Sequence, residues 1–275
     1  MVTALVLFSA ILHASWNALG KSIRDPMISA GLIGVAYFFI GGTVALFLPL
    51  PDPASWPFVV VSVAIQTVYL LFLMTSYEKG DMGRIYPIAR GVAPLLVVLV
   101  STTLLSENLG WLQLAGIAVL CSSLGVFMIS GVRVQSRSTV GLAIVTGILI
   151  AGYTLVDGVG VRVAGNPISY AMWLFLLQGP LIPLLGFAQR GRIYAGQLCR
   201  HLPIGLLGGL LSLVAYAVVV WAQSQAPMAE VAALRETSII FAALIGAVIF
   251  KEKLGVARTS AAFTMVGGIV LIQLV

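Results

Sequence analysis

The feature that most constrains this chain is a repetition of apolar runs about 20 residues long, the length an α-helix needs to cross the hydrocarbon core of a bilayer. The runs fall at approximately 2–21, 27–49, 56–77, 85–105, 109–130, 139–161, 167–189, 202–224, 227–250 and 254–274. Lipid offers no water to bond backbone N–H and C=O groups, so each run must satisfy its own hydrogen bonds as a helix. The sequence is 60% hydrophobic and 9% charged, whereas a soluble domain carries about 25% charged residues. It predicts an all-α integral membrane protein with ten transmembrane helices.

Several function classes fall away on this composition. The net charge of +6 comes from basic residues in short loops between apolar runs, a topology signal rather than a nucleic-acid footprint. Cys121 and Cys199 lack metal-ligand spacing, so neither a disulfide framework nor a zinc site is expected. The apolar N-terminus has no basic n-region and no A-x-A site, which marks a retained first helix rather than a cleaved signal. The sequence lacks HExxH, GxSxG, paired intramembrane aspartates, a Ser/Lys pair and a Walker A motif. No enzyme activity, cofactor or ATP hydrolysis is expected.

The second half of the chain repeats the first. Arg90 and the Glu107–Gly110 turn match Arg235 and the Glu252–Gly255 turn 145 residues later. Residues 11–17 match 148–154, and 25–29 match 166–170, in the same order and at smaller offsets. Insertions confined to loops would give such growing offsets, as in a duplicated unit. The predicted units are residues 1–132 and 139–275. Five spans per unit insert the two copies in opposite directions, and inverted repeats of this kind place a substrate site near the midplane between them.

Lysine and arginine placement predicts the orientation. Of the 15 such residues, twelve lie in odd-numbered loops and one, Arg162, in an even-numbered loop; the remaining two, Arg90 and Arg235, lie inside helices. The positive-inside rule puts the odd loops in the cytoplasm and both termini outside.

The embedded polar residues are the candidates for function, because a charge at membrane depth costs about 2.5 kcal/mol or more. Arg90 lies about six residues into its run, within reach of the interface by snorkelling, and Arg235 lies deeper. With one arginine near the N-terminal end of each oppositely directed helix, the two are expected on opposite sides of the midplane. Glu236 is a poor partner for its neighbour Arg235, so charges must pair across helices. His13 and Asn17 share a polar face at i, i+4 spacing, with Trp16 beside them, and Tyr153 and Asp157 have the same spacing in the matching helix. Arg90, Arg235, Trp16, Asn17, Tyr86 and Tyr153 are the expected substrate-binding residues. His13, Asp157, Glu230 and Glu236 are the expected proton-coupling or ion-pairing residues. Bland alternatives stand beside these roles: an aromatic belt for Trp16, an interfacial acid for Asp157, a carbonyl-satisfied His13. Gln66, Tyr69, Gln178, Tyr216, Trp221 and Gln223 are further candidates for a cavity wall. The Glu107 and Glu252 turns are expected to cap tight turns, and Pro180 and Pro183 to kink their helix.

LHASWNALGK at 12–21, the Pro94-containing fourth helix, the two Glu-x-Leu-Gly turns and GYTLVDGVGVR at 152–162 together resemble the drug/metabolite transporter superfamily, EamA type. The resemblance covers essentially the whole chain. It implies secondary active transport through a central cavity between two five-helix halves, with amino acids, metabolites or drugs as substrates. Proton coupling or exchange is common among such proteins. Relatives with cytoplasmic termini depart from the orientation that the charges predict here. The sequence thus points to an inner-membrane transporter, an exporter or exchanger, of small polar metabolites such as amino acids, with the lipid bilayer, a small-molecule substrate and a proton as partners. Duplication within one chain makes a monomer sufficient, with a dimer as the alternative. The rival functions are a multidrug or cationic-compound exporter and, less favoured, an intramembrane lipid-modifying enzyme.

Overall fold

The computed structural model describes residues 1–20, 22–79, 82–131, 137–249, 251 and 255–274, and side chains within them except at 76–88, 126–139, 249, 257 and 258. The described chain is helical, without a strand. Seven stretches among the described residues are long and apolar enough to cross a membrane: Val2–Gly20, Pro26–Leu46, Pro53–Thr75, Val140–Arg162, Pro167–Arg200, Leu202–Gln223 and Met228–Val248. Three shorter apolar stretches, Ala89–Thr103, Trp111–Gly125 and Thr259–Gln273, accompany them. Large apolar side chains such as Phe39, Phe47, Val248 and Phe263 are exposed, a surface suited to lipid.

The first helix, α1 (Val2–Gly20), ends at a short loop, and Asp25 starts the next, α2 (Pro26–Ala36), by accepting from the backbone N–H groups of Met27 and Ile28. Asn166 starts α8 (Pro167–Gln178) in the same way, through the N–H groups of Ile168 and Ser169. In both, proline follows the cap, where its missing N–H costs nothing. This is the physical content of the sequence match between 25–29 and 166–170.

A π-helical turn, Tyr37–Gly41, joins α2 to α3 (Gly42–Leu46) within the expected second run. The chain continues through α4 (Trp56–Lys79), α5 (Met82–Thr103), α6 (Trp111–Gly131) and α7 (Arg137–Arg162). After α8 come α9 (Leu181–Arg200) and α10 (Leu202–Gln223), then α11 (Met228–Arg235), α12 (Ser238–Ile249) and α13 (Val256–Gln273).

Two expected continuous helices are broken. Residues 167–189 divide at Gly179–Pro180, where proline cannot donate to the helix ladder. The helix then runs past the expected end, turning at Gly191 (φ 58°) and continuing to Arg200. Tyr194 anchors that extension: it is fully buried, and its hydroxyl donates to the Met27 carbonyl at 3.0 Å. The ninth run divides at Glu236–Thr237, between α11 and α12.

Packing pairs α1 with α10 and α12, α4 with α7 and α8, α5 with α7 and α11, α2 with α9 and α10, and α6 with α13. The α6–α13 seam is a direct backbone approach, because a Cβ on Gly116 would lie 2.7 Å from the Gly268 carbonyl oxygen and one on Gly268 would lie 2.9 Å from that of Gly116. Two non-glycine residues have positive φ, Ser106 at 53° and Lys251 at 54°. They stand 145 positions apart, each just before the glutamate of a matched turn.

Candidate functional site

A cavity of about 400 Å³ lies between α1, α2, α4, α7, α8, α9, α10 and α11. Its lining runs from the buried Arg235 and the half-buried Tyr216 to Gly20 and the exposed Arg24 at the α1–α2 connection. The sequence-predicted His13, Trp16, Asn17, Tyr153 and Arg235 all line it, as do Gln66, Tyr69, Gln178 and Tyr216. Trp221 and Gln223 do not: Gln223 instead donates from Nε2 to the Thr154 carbonyl at 3.1 Å. Tyr86 lies outside the described side chains, and Glu252 outside the described residues.

The two arginines have different surroundings. Arg90 on α5 is 3% exposed and engaged on every side. Its Nε donates to Glu236 Oε2 at 2.7 Å, and its Nη2 donates to Ser238 Oγ at 2.6 Å and to the Arg235 carbonyl at 3.2 Å. Its Nη1 lies 2.9 Å from His13 Nε2. A guanidinium only donates, so His13 Nε2 accepts and the ring proton sits on Nδ1. Arg90 does not line the cavity. Its charge is compensated by Glu236, and the α11–α12 break is what delivers Glu236, Ser238 and a carbonyl to one guanidinium.

This arrangement corrects the expectation that the arginines stand apart across the midplane, because the Arg90 head group reaches the Arg235 backbone. The long arginine stem spans the offset that the helix positions create. Snorkelling is likewise replaced, since Arg90 points inward to partners on α1 and at the α11–α12 break.

Arg235 lines the cavity and is 9% exposed. Its guanidinium carbon lies 5.7 Å from the centre of the Tyr216 ring, a cation–π geometry. Among the described residues no carboxylate pairs with it and no hydrogen bond engages its guanidinium.

Asp157 is fully buried, not interfacial. Its Oδ1 accepts from the Tyr170 hydroxyl at 3.0 Å, and its Oδ2 accepts from the Tyr216 hydroxyl at 2.5 Å and from Gln66 Nε2 at 3.3 Å. The alternative of an interfacial acid, suggested by its distance from the end of α7, is set aside, because the donors come from α4, α8 and α10. Tyr216 therefore serves twice, bonding Asp157 by its hydroxyl and stacking against Arg235 by its ring. Its ring also packs edge-on to Tyr153 at 5.9 Å. Tyr170 and Ser238 were not recognised from sequence. An isolated hydroxyl in an apolar run carries no signal until its partner is known.

The acids expected to supply counter-charge do not line the cavity. Glu236 is held by Arg90, Asp157 by its three donors, and Glu230 accepts from Gln113 Nε2 at 3.3 Å.

The end of the bundle away from Arg24 is braced. Leu32 packs near Gly205 and Tyr37 bonds Ser212 at 2.7 Å, so α2 and α10 run in the same direction and Gln223 lies at the far end. There Arg162 donates to Glu107 Oε1 at 2.6 Å, to the Gln223 carbonyl at 3.0 Å and to the Ala226 carbonyl at 3.1 Å. Both oxygens of Glu107 accept from the Met228 backbone N–H at 3.0 Å. Glu107 thus caps the start of α11 rather than its own turn. At the Arg24 end, Arg190 pairs with Asp25. Burial pushes the Asp25 carboxyl up, but the Arg190 hydrogen bond and the N–H groups of Ile28 and Met27 outweigh it and hold the carboxyl below its ordinary range.

Comparison with known proteins gives a likeness of fold and a family match. Aligned with a solved crystal structure of a protein, the chain has a TM-score of 0.76 at 16% identity, covering 99% of this chain and 98% of the other. At that identity the likeness is one of fold. No curated protein matches. The model of the EamA-like transporter family matches residues 137–274.

Proposed function

The chain belongs to the EamA-like transporter family, a membrane-transporter family of the drug/metabolite transporter superfamily, and from that premise we propose that it carries small polar metabolites bearing a carboxylate or phosphate, anchored on Arg235. The observation that carries this is an arginine with no ion pair among the described residues, lining a cavity of about 400 Å³. A cation kept in a low-dielectric site without a partner needs an anion, and its attraction for one is far stronger there than in water. Trp16, Asn17, Tyr153 and Tyr216 supply aromatic and amide surface around the anchor.

The transport is secondary, by alternating access between two inverted five-helix units, residues 1–132 and 139–275. The seven long and three shorter apolar stretches support ten spans. The paired caps at Asp25 and Asn166, and the paired positive-φ residues Ser106 and Lys251, support the repeat. So does the packing, in which α1 against α10 mirrors α7 against α4, and α5 against α7 mirrors α12 against α1. In this state the substrate enters from the Arg24 side while the Glu107–Arg162 brace holds the far side closed. By the positive-inside rule that open side is cytoplasmic, both termini are outside and the membrane is the inner membrane. His13, lining the cavity and bonded to Arg90, is the candidate proton site. A proton on His13 Nε2 removes the lone pair that Arg90 uses, so protonation would act on the Arg90–Glu236 pair. One chain suffices.

The deciding experiment is uptake by proteoliposomes of a panel of carboxylates, phosphate esters and cationic dyes. Uptake of anions that disappears with Arg235→Ala, while folded protein is retained, is the expected result. Wild-type uptake by that variant refutes the anchor. Uptake of cationic dyes alone supports the multidrug alternative, which the aromatic lining favours.

A further inference from the structure

Resting on the transporter reading above, the structure assigns the cavity a narrower substrate class: organic anions with no ammonium group, whose second pole is a neutral hydroxyl or amide. The cavity lining contains Arg235 and Arg24 and, among the described residues, neither aspartate nor glutamate. The carboxylates around it are committed elsewhere: Asp25, between the lining residues Arg24 and Pro26, to Arg190 and the start of α2, Glu236 to the Arg90 guanidinium at 2.7 Å, and Asp157 to two tyrosine hydroxyls and Gln66. Glu230 stands behind α11 against Gln113.

An amino-acid zwitterion placed on Arg235 would leave its ammonium next to a fixed positive charge, with no acid in the lining to receive it. A buried charge is tolerated only when it is paired. A hydroxyl in the same place asks only for a neutral partner. The lining offers such partners. Gln178 is 6% exposed and its Oε1 has no hydrogen-bond partner among the described residues. A rotation of that amide presents either its oxygen or its nitrogen to a substrate hydroxyl. Trp16 Nε1, also in the lining, is a second buried group without a hydrogen-bond partner among the described residues, a donor suited to the anionic end.

The same geometry separates this class from the sequence expectation of amino acids. That expectation needed Glu230, Glu236 or Asp157 to face the substrate, and none does.

Matched pairs that differ only in hydroxyl versus ammonium test the inference: lactate against alanine, glycerate against serine, and 3-phenyllactate against phenylalanine. Binding to the purified full-length protein in nanodiscs is read by thermal shift and by competition. Within at least one pair the hydroxy acid is expected to bind at least about 10-fold more tightly, a lower bound because an unpaired charge costs more to desolvate than a hydroxyl, with no pair reversed. Equal or tighter binding of the amino acids overturns the inference, as does binding of no member of any pair. Gln178→Glu is expected to reverse the preference by restoring a counter-charge, and Asn17→Asp is a second route if the first variant does not fold. Arg235→Gln separates the two levels. If it abolishes binding of both pair members while the wild type shows no hydroxy-acid preference, the anchor stands and the substrate class falls. If hydroxy-acid binding is unchanged in Arg235→Gln, the anchor falls.

Discussion

Arg90 and Glu236, 146 residues apart in sequence, form a buried ion pair at 2.7 Å that joins α5 to the break between α11 and α12. Both side chains are 4% exposed. Burying such a pair costs several kcal/mol of desolvation, which its attraction offsets only with further hydrogen bonds. Ser238, the Arg235 carbonyl and His13 supply them to Arg90.

Removal of one partner leaves the other charge buried and alone. Glu236→Gln is expected to destabilise the protein by about 3 kcal/mol. Changing both residues, Arg90→Met with Glu236→Met, is expected to recover most of that loss. Thermal melts of the two variants and of each single change in detergent make the comparison. A double variant as unstable as the sum of the singles contradicts the pairing.

Tyr216 links Asp157 to Arg235 by two different parts of one side chain. Tyr216→Phe keeps the ring under the guanidinium and removes one donor from a buried carboxylate, an expected loss of about 1–3 kcal/mol. Tyr216→Leu removes the cation–π contact as well, expected to be worth about 0.5–2 kcal/mol. Substrate binding is expected to change less in the phenylalanine variant than in the leucine variant, and titration with a bound anion distinguishes them.

Glu107 caps α11 through the Met228 N–H and receives Arg162. Glu107→Ala is expected to lower stability by about 1–2 kcal/mol as a lost cap. It should also raise amide exchange locally at 224–230. Exchange that stays at wild-type levels in that segment counts against the brace.

Asp25 carries a pH signature. Its carboxyl sits below the ordinary range in the folded protein, held by Arg190 and two backbone N–H groups. Its contribution is therefore fully present above the ordinary carboxylate pKa and lost as pH falls through the lowered folded value. Asp25→Asn keeps a capping side chain, as Asn166 does at the start of α8, but removes this pH dependence. Melting temperatures at acidic and neutral pH should converge on those of the wild type only at the acidic end.

Much of the membrane architecture was legible because lipid imposes it: a run of about 20 apolar residues has few alternatives to a spanning helix. Arg90, Arg235 and His13 were legible for the same reason, as polar groups where such groups are costly. Their partners were not. Periodicity places His13 and Asn17 on one face, yet nothing local says that Asp157 meets Tyr170 and Tyr216, or that Glu107 leaves its own turn to cap α11. The break at Glu236–Thr237 was equally hidden, because no proline or glycine marks it and the helix yields to the guanidinium it serves. The helical extension to Arg200 was missed because its burial rests on one residue, Tyr194, docking across to α2.

The Gly116–Gly268 contact has a mechanical consequence. Where two helices approach this closely, with Ile272 and Leu120 packed tightly against the glycines, little room is left to slide or rearrange, so they behave as a single stiff post. Under the proposed alternating access, the bundle must turn about something that keeps its place. The α6–α13 post is suited to that part, and the helices that line the cavity are the ones to swing around it.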